Sequence, residues 1–145
     1  MARPIPDLCQ ASELSVKQGF AIARQFYEAA FGGAWEKIED MLSDDFVIRE
    51  AESLPFHAVY HGKSGLRDLY AYMTGYWTNF RAELKAVTVG DNYIVGLLEA
   101  SGTAKSTGRS FSMPIAEIIR LREGKIVEIY PIWWDTMHVS NLVAK

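Results

Sequence analysis

Cysteine and histidine are scarce in this 145-residue chain, which contains one Cys and three His. Cys9 has no second thiol with which to form an internal disulfide, and no Cys or His lies at metal-ligand spacing from it. The sequence therefore predicts neither a disulfide scaffold nor a structural zinc site. Such cysteine usage is typical of a reducing compartment, and we expect no metal and no other cofactor.

Basic runs and long apolar runs are also missing. Fifteen Lys and Arg stand against eighteen Asp and Glu, for a net charge of -3. Without a basic cluster, the chain lacks the electrostatic pattern of a nucleic-acid-binding protein. No segment approaches the ~20 apolar residues of a membrane-spanning helix, and the first fifteen residues lack the apolar core of a signal peptide. We expect a cytoplasmic protein with neither nucleic-acid nor membrane partners.

The length and the pattern of apolar residues predict one α+β domain. Residues 1–12 carry two prolines and no periodicity, so we interpret them as a flexible tail before a domain at 13–145. Apolar residues at helical spacing predict three helices, at about 13–31, 35–42 and 66–77. Alternating apolar residues predict five strands, at about 46–52, 80–89, 93–101, 109–122 and 125–134. Helices followed by antiparallel strands indicate helices packed on one face of a sheet.

Two acidic residues interrupt apolar strand faces. Glu117 shares its face with Met113, Ile115 and Ile119, and Glu50 shares its face with residues 46 and 48. If both faces point toward the helices, both carboxyls enter the same interior. A pair of carboxyls in an apolar pocket can have well-separated pKa values, which leaves one as a base and the other as an acid. We therefore treat Glu50 and Glu117 as candidate catalytic residues.

Structural roles for the same acids remain open. Each could turn to solvent at a sheet edge or pair with an Arg or Lys on a neighbouring strand. Glu99 is a third acid of this kind, on the face of residues 93, 95 and 97. His57 and His61 lie in a Pro- and Gly-bearing loop, where a spacing of four does not define a metal site. His138 follows the last strand and is a candidate for the mouth of a cavity.

Several stretches resemble one family, and in chain order they are FYEAAFGGAWEKIEDMLSDDFVIRE, LPFHAVYHGKSGLRDLY, SGTAKSTGRSFSMPIAEIIRLREGKIVEI and the closing DT. Their order and spacing are similar to those of the SnoaL-like polyketide cyclases and, more distantly, of ketosteroid isomerase, in the nuclear transport factor two-like superfamily. The resemblance covers residues 15 to 142.

This resemblance implies a cone-shaped fold, in which a curved antiparallel sheet wraps around a long N-terminal helix and two further helices enclose a pocket. It also implies a homodimer. In ketosteroid isomerase an Asp base moves the proton while a Tyr and a protonated Asp donate hydrogen bonds to the enolate oxygen. By resemblance, the base position falls on Glu50 and the protonated-acid position on Glu117. The tyrosine position falls on Phe26, with Tyr27 adjacent, and Asp135 is the nearest match to a C-terminal acid of the SnoaL-like cyclases.

From the resemblance we expect a hydrophobic pocket that is walled by apolar and aromatic side chains. Its candidate substrate-binding residues are Phe26, Phe56, Tyr70, Met73, Trp77, Met113, Ile115, Trp133, Trp134 and His138. An aromatic stripe at helical spacing is more often core than ligand site, and a buried Tyr or Trp needs a partner for its polar atom.

The function expected from these residues is acid-base chemistry α to a carbonyl, without a cofactor. The enzyme would be an isomerase or an aldol-type cyclase acting on a hydrophobic, oxygenated small molecule such as a polyketide or a steroid-like compound. Glu50 would be the base and Glu117 the protonated donor, with Tyr27 or Asp135 giving a supporting hydrogen bond. The alternatives are a non-catalytic ligand-binding or protein-interaction module, or a superfamily dehydratase or epoxide hydrolase. The epoxide hydrolases need an Arg where this chain has Ile115.

Overall fold

The computed structural model describes residues 14–144, so the predicted tail and Cys9 lie outside the described residues. The described helices are α1 (Val16–Phe31), α2 (Trp35–Met41), α3 (Gly65–Thr74) and α4 (Thr136–Val143). The described strands are β1 (Leu42–Arg49), β2 (Val59–His61), β3 (Trp77–Gly90), β4 (Tyr93–Ala104), β5 (Ser110–Arg122) and β6 (Lys125–Trp133).

The long helix α1 begins where Ser15 caps it. The Ser15 hydroxyl accepts a hydrogen bond from the Gln18 backbone N–H at 3.1 Å, and the Gln18 side chain accepts one from the Ser15 N–H at 2.9 Å. This reciprocal capping box satisfies two N–H groups that the helix leaves without partners, so the helix starts at Val16 rather than near residue 13. Its buried face carries Phe26 and Tyr27 toward the sheet.

The six strands form one curved, open sheet in the order β2-β1-β6-β5-β4-β3, which confirms the predicted α+β class. One pairing differs from the all-antiparallel expectation, because β1 runs parallel to β6. A parallel neighbour requires a long connection, and here most of the chain lies between these two strands. The register pairs Leu98 with Ile115 and Ala100 with Met113, so these buried residues share the sheet face that packs against α1.

Four local differences follow from capping and turns. Strand β1 ends at Arg49, so Glu50 lies just beyond it, and the short strand β2 forms inside the predicted loop. Helix α3 ends at Thr74, which places Trp77 at the start of β3. The fourth helix, α4, was not predicted; it begins because the Asp135 carboxylate accepts a hydrogen bond from the His138 backbone N–H at 2.9 Å.

Candidate active site

A cavity of about 860 Å³ opens between α1, α3 and the inner face of the sheet. Its inner wall includes Ile48, Leu69, Leu98 and Ile115, all of which are buried or nearly so. The cavity also extends past the edge strand β3 to the outer face of the sheet. Arg81, Ser101 and Ser112 lie side by side on that outer face, as do Glu83 and Glu99. The inner chamber is therefore smaller than the total volume.

Glu50 is one of the two acids in this chamber, and its side chain is almost enclosed, with 8% of the residue exposed. Its Oε2 accepts a hydrogen bond from the Trp133 indole Nε1–H at 3.2 Å. Burial raises the pKa of Glu50 to about 8, the Trp133 hydrogen bond acts in the opposite direction, and the charge of Glu117 raises it further. Burial is the largest of these effects, because a carboxylate loses its hydration there.

Glu117 is the second acid, and its Oε1 accepts a hydrogen bond from the Tyr27 hydroxyl at 2.9 Å. Burial raises the pKa of the Glu117 carboxyl, and the bond from Tyr27 partly offsets that rise. Burial, together with the charge and hydrogen bond of Glu117, raises the pKa of Tyr27 far above its ordinary value. Tyr27 therefore keeps its proton and remains a hydrogen-bond donor.

Gly96 makes the approach of Tyr27 possible. It pairs with Glu117 across β4 and β5. A Cβ atom at Gly96 would lie 1.8 Å from the Tyr27 hydroxyl oxygen, far inside van der Waals contact. The lack of a side chain at this position creates the space through which the hydroxyl reaches Glu117. The sequence did not single out Gly96, because a glycine within a strand has several possible causes.

The two acids lack a cationic partner in the inner chamber. Among the described residues that line the whole cavity, Arg81 is the one basic residue, and it is exposed on the outer face. Each acid instead receives one neutral donor, Trp133 or Tyr27. The described part of the chain holds no cluster of three or more His, Cys, Asp or Glu residues with metal-binding geometry. The chamber thus places two carboxyls with raised pKa values, and without a cationic partner among the described lining residues, against an apolar wall.

Most of the remaining candidates divide into residues that line the cavity and residues that support it. Phe26, Tyr70, Met73, Ile115 and Trp133 line it. Phe56, Trp77 and Met113 are buried but lie outside its lining. Phe56 packs against Trp133, with ring centroids 5.5 Å apart, and Trp77 packs edge-on against Phe111 at 4.9 Å. These aromatic residues form core behind the wall, since Phe56 from the β1–β2 loop and Trp77 from the start of β3 pack against aromatic rings of the sheet.

Three candidates near the C-terminus lie elsewhere, and their expected positions at the site were wrong. Asp135 is exposed and caps α4, as described above, and His138 is exposed in the first turn of that helix. Trp134 is 79% exposed, because the residue after the inward-facing Trp133 points to the other face of the sheet. None of the three lines the cavity.

Glu99 and several residues of the cavity lining also differ from the expectations drawn from the sequence. Glu99 lies on the outer face and accepts a hydrogen bond from the Ser112 hydroxyl at 2.9 Å, so it does not join the two inner acids. The lining side chains that we did not predict include Phe31, Trp35, Leu66 and Phe80. They belong to different elements, so their convergence depends on tertiary packing, which periodicity does not reveal.

Comparison with known proteins identifies the family. Residues 23–129 match the model of the SnoaL-like domain, so the chain belongs to the SnoaL-like domain family. No curated protein matches the sequence. No described helix is both long and apolar enough to cross a membrane.

Solved structures of similar fold cover nearly the whole chain. An NTF2-like protein from Burkholderia thailandensis superposes with a TM-score of 0.79 at 20% identity, covering 91% of this chain and 100% of that one. A protein from Jannaschia sp. CCS1, provisionally assigned as a SnoaL-like polyketide cyclase, gives 0.74 at 12% identity, covering 92% and 99%. A hypothetical protein from Catenulispora acidiphila with a ketosteroid isomerase-like fold, in complex with trimethylamine, gives 0.66 at 15% identity, covering 83% and 92%. At these identities the likeness establishes the fold.

Proposed function

We propose that this protein is an enzyme that removes a proton α to a carbonyl and stabilises the resulting enolate, without a cofactor. The observation that carries the proposal is a pair of carboxyls, the buried Glu50 and the partly buried Glu117, which line one cavity and have no cationic partner among the described lining residues of its inner chamber. The substrate would be a hydrophobic, oxygenated compound, because apart from the two acids the inner wall is mainly apolar and aromatic. Isomerisation or an intramolecular aldol closure would follow from the enolate.

In the proposed step the ionised Glu50 carboxylate takes the α-proton. The electrons of the broken C–H bond form the enolate double bond, and negative charge develops on the carbonyl oxygen. Glu117, protonated on Oε2, donates a hydrogen bond to that oxygen while its Oε1 accepts from Tyr27. Glu50 then returns the proton to another carbon for isomerisation, or to the new alkoxide after ring closure. The protein is regenerated in either case.

The raised pKa of Glu50 sets the pH dependence of this step. With a pKa of about 8, only a minority of Glu50 is ionised at neutral pH, and the ionised fraction grows as the pH approaches that value. The carboxylate that does form is a stronger base than an exposed one. The proposed roles require that Glu117 keep its proton while Glu50 is ionised, so we expect the rate to rise as the pH approaches about 8 for as long as Glu117 stays protonated.

Exchange of α-hydrogen for deuterium in heavy water tests the chemistry directly, because it reports enolate formation whatever the later product. Cyclic enones and polyketide-like ketones are incubated with the protein and followed by proton NMR. Glu50→Gln is expected to slow exchange by about 10²- to 10⁴-fold, the usual contribution of a general base. Glu117→Gln is expected to slow it by about 10²- to 10³-fold, as for the loss of an oxyanion donor. The matched control is Glu99→Gln, which changes an acid on the outer face.

Both inner variants keep an oxygen that accepts from Trp133 or Tyr27, so the fold is expected to survive. Unchanged exchange in Glu50→Gln would remove Glu50 from the mechanism. Complete loss in Glu117→Gln with only a modest loss in Glu50→Gln would exchange the two roles. Binding of these ketones without exchange by the wild-type protein would support a ligand-binding module instead.

We further propose that the protein acts in the cytoplasm as a homodimer that pairs through the outer face of the sheet. Leu97, Ala116 and Ile132 are cross-strand neighbours there, and Leu97 and Ile132 are 41% and 52% exposed. Nearby Trp134 adds a large exposed aromatic surface. Sedimentation analysis is expected to give a dimer for the wild type and a monomer for Ile132→Lys, because a lysine would be desolvated in the interface. A wild-type monomer would contradict this arrangement.

A further inference from the structure

The aromatic character of the cavity wall, together with its two acids, indicates the charge of its ligand. The cavity is lined by seven aromatic side chains: Phe26, Tyr27, Phe31, Trp35, Tyr70, Phe80 and Trp133. Aromatic faces attract cations through their quadrupole, and this attraction strengthens in sites that exclude water.

The two carboxyls each retain an oxygen for a ligand. Tyr27 uses Oε1 of Glu117, and Trp133 uses Oε2 of Glu50. The remaining carboxyl oxygens receive no hydrogen bond from the described residues. Glu50 is more than nine-tenths buried and lines the cavity, and no described Lys, Arg or His compensates it there. A donor that brings its own positive charge would pair with the free oxygen of Glu50 and compensate the charge of its ionised form.

We propose that the cavity takes a hydrophobic ligand that carries a protonated amine, and that its ammonium group lies between Glu50 and Glu117 against the aromatic wall. This inference rests on the proposed function, since both place the ligand between the same two acids. It also deepens that function: a substrate ammonium group beside Glu50 would favour the ionised carboxylate, which is the form that removes the α-proton. The substrate would thereby help to generate its own base.

A set of three small probes of similar size separates charge from shape. The probes are 2-phenylethylamine, 2-phenylethanol and phenylacetate, titrated into the full chain by calorimetry at about pH 7.5, where an alkylamine is still protonated. The amine is expected to bind at least about tenfold more tightly than the alcohol, because it adds charge-assisted hydrogen bonds and cation–π contacts. Phenylacetate is expected to bind most weakly, since its carboxylate would enter a chamber of acids.

Proton release is a second readout. Burial raises the pKa of both carboxyls, and the other titratable group that faces the pair from α1 is Tyr27, which stays protonated. Among described groups, Tyr60 on the β2 side also interacts with Glu50. An ammonium group that enters is therefore expected to displace a proton from Glu50, while Glu117 keeps the proton that it donates to the enolate oxygen. The heat of binding should then depend on the ionisation enthalpy of the buffer.

Substitutions test whether the tighter binding of the amine depends on the two acids of the inner chamber. Glu50→Gln and Glu117→Gln are each expected to reduce the amine-to-alcohol ratio several-fold, whereas Glu99→Gln is expected to preserve it. Equal binding of amine and alcohol by the wild type, or loss of the preference in Glu99→Gln alone, would overturn the proposal. These titrations measure binding and do not depend on turnover. If the protein exchanges the α-hydrogen of ketones but does not bind the amine more tightly than the alcohol, this inference alone is refuted. If it binds the amine more tightly but exchanges no α-hydrogen, the proposed chemistry alone is refuted.

Discussion

Replacing Glu50 with Gln is expected to change how the stability of the protein depends on pH. In the unfolded chain this carboxyl titrates near 4.5, whereas burial in the folded protein raises its pKa to about 8. Between these two values the folded state binds one proton more than the unfolded state. The free energy of unfolding must therefore fall as the pH rises through this interval.

The two pKa values set the size of this effect. A difference of about 3.5 pKa units at ~1.4 kcal/mol per unit corresponds to about 5 kcal/mol. This contribution is fully present below about pH 4.5 and is lost progressively until the pH passes the folded-state value near 8. Burial of Glu117 acts in the same direction, because its pKa is also raised. A Gln at position 50 has no proton to lose, so the variant should lack this part of the decline.

Urea unfolding followed by tryptophan fluorescence, at intervals between pH 5 and 9, measures the slope for the wild type and for Glu50→Gln. We expect the wild type to lose several kcal/mol across this range and the variant to lose markedly less, so that the variant is the more stable protein at the alkaline end. Glu83→Gln, at an exposed position on β3, serves as the control and should follow the wild type. Parallel curves for wild type and Glu50→Gln would refute the assignment of a buried, neutral carboxyl at this position.

Three further substitutions test individual contacts. Gly96→Ala should cost about 1–3 kcal/mol of unfolding free energy, because its Cβ would overlap the Tyr27 hydroxyl, and unchanged stability in denaturation would count against the close contact. Trp133→Phe removes the donor to Glu50, so the midpoint of the pH profile of α-hydrogen exchange should move to higher pH; a fixed midpoint would show that this hydrogen bond does not tune the base. Asp135→Ala should lower the free energy of unfolding by about 0.5–2 kcal/mol, because the cap of α4 is lost, and should leave α-hydrogen exchange unchanged. Loss of α-hydrogen exchange in a folded Asp135→Ala variant would indicate that Asp135 has a catalytic role.

The fold was largely predictable because its elements carry strong local patterns. The alternation in β4 and β5 and the helical stripe of α1 identified those elements, and the turn residues Asp91, Asn92 and Gly124, all at positive φ, mark the hairpins between strands. The parallel pairing of β1 with β6 was not predictable, because it depends on contacts between segments distant in the chain. Helix α4 was missed because its start depends on a single cap, Asp135.

The site was predictable where one residue broke a pattern and not where several elements converge. Glu50 and Glu117 stood out as acids on apolar faces, and both line the cavity. Glu99 stood out by the same rule but faces outward, because its alternation belongs to the opposite side of β4. Periodicity identifies a face without stating which face is buried. The donor role of Trp133 toward Glu50 likewise required the tertiary structure, since these residues are 83 positions apart in the chain.

Carbon-13 NMR of the glutamate carboxyls, recorded against pH in the wild type, Glu50→Gln and Glu117→Gln, tests the central claim most directly. We predict two carboxyl signals whose titration is displaced to higher pH, because burial raises the pKa of Glu50 and of Glu117. Each of these two signals should be absent from one of the variants, and the one absent from Glu50→Gln should have its midpoint near 8. If every glutamate titrates near its ordinary value, the two acids are solvated or paired, and the proposed proton transfer between cavity and substrate is contradicted.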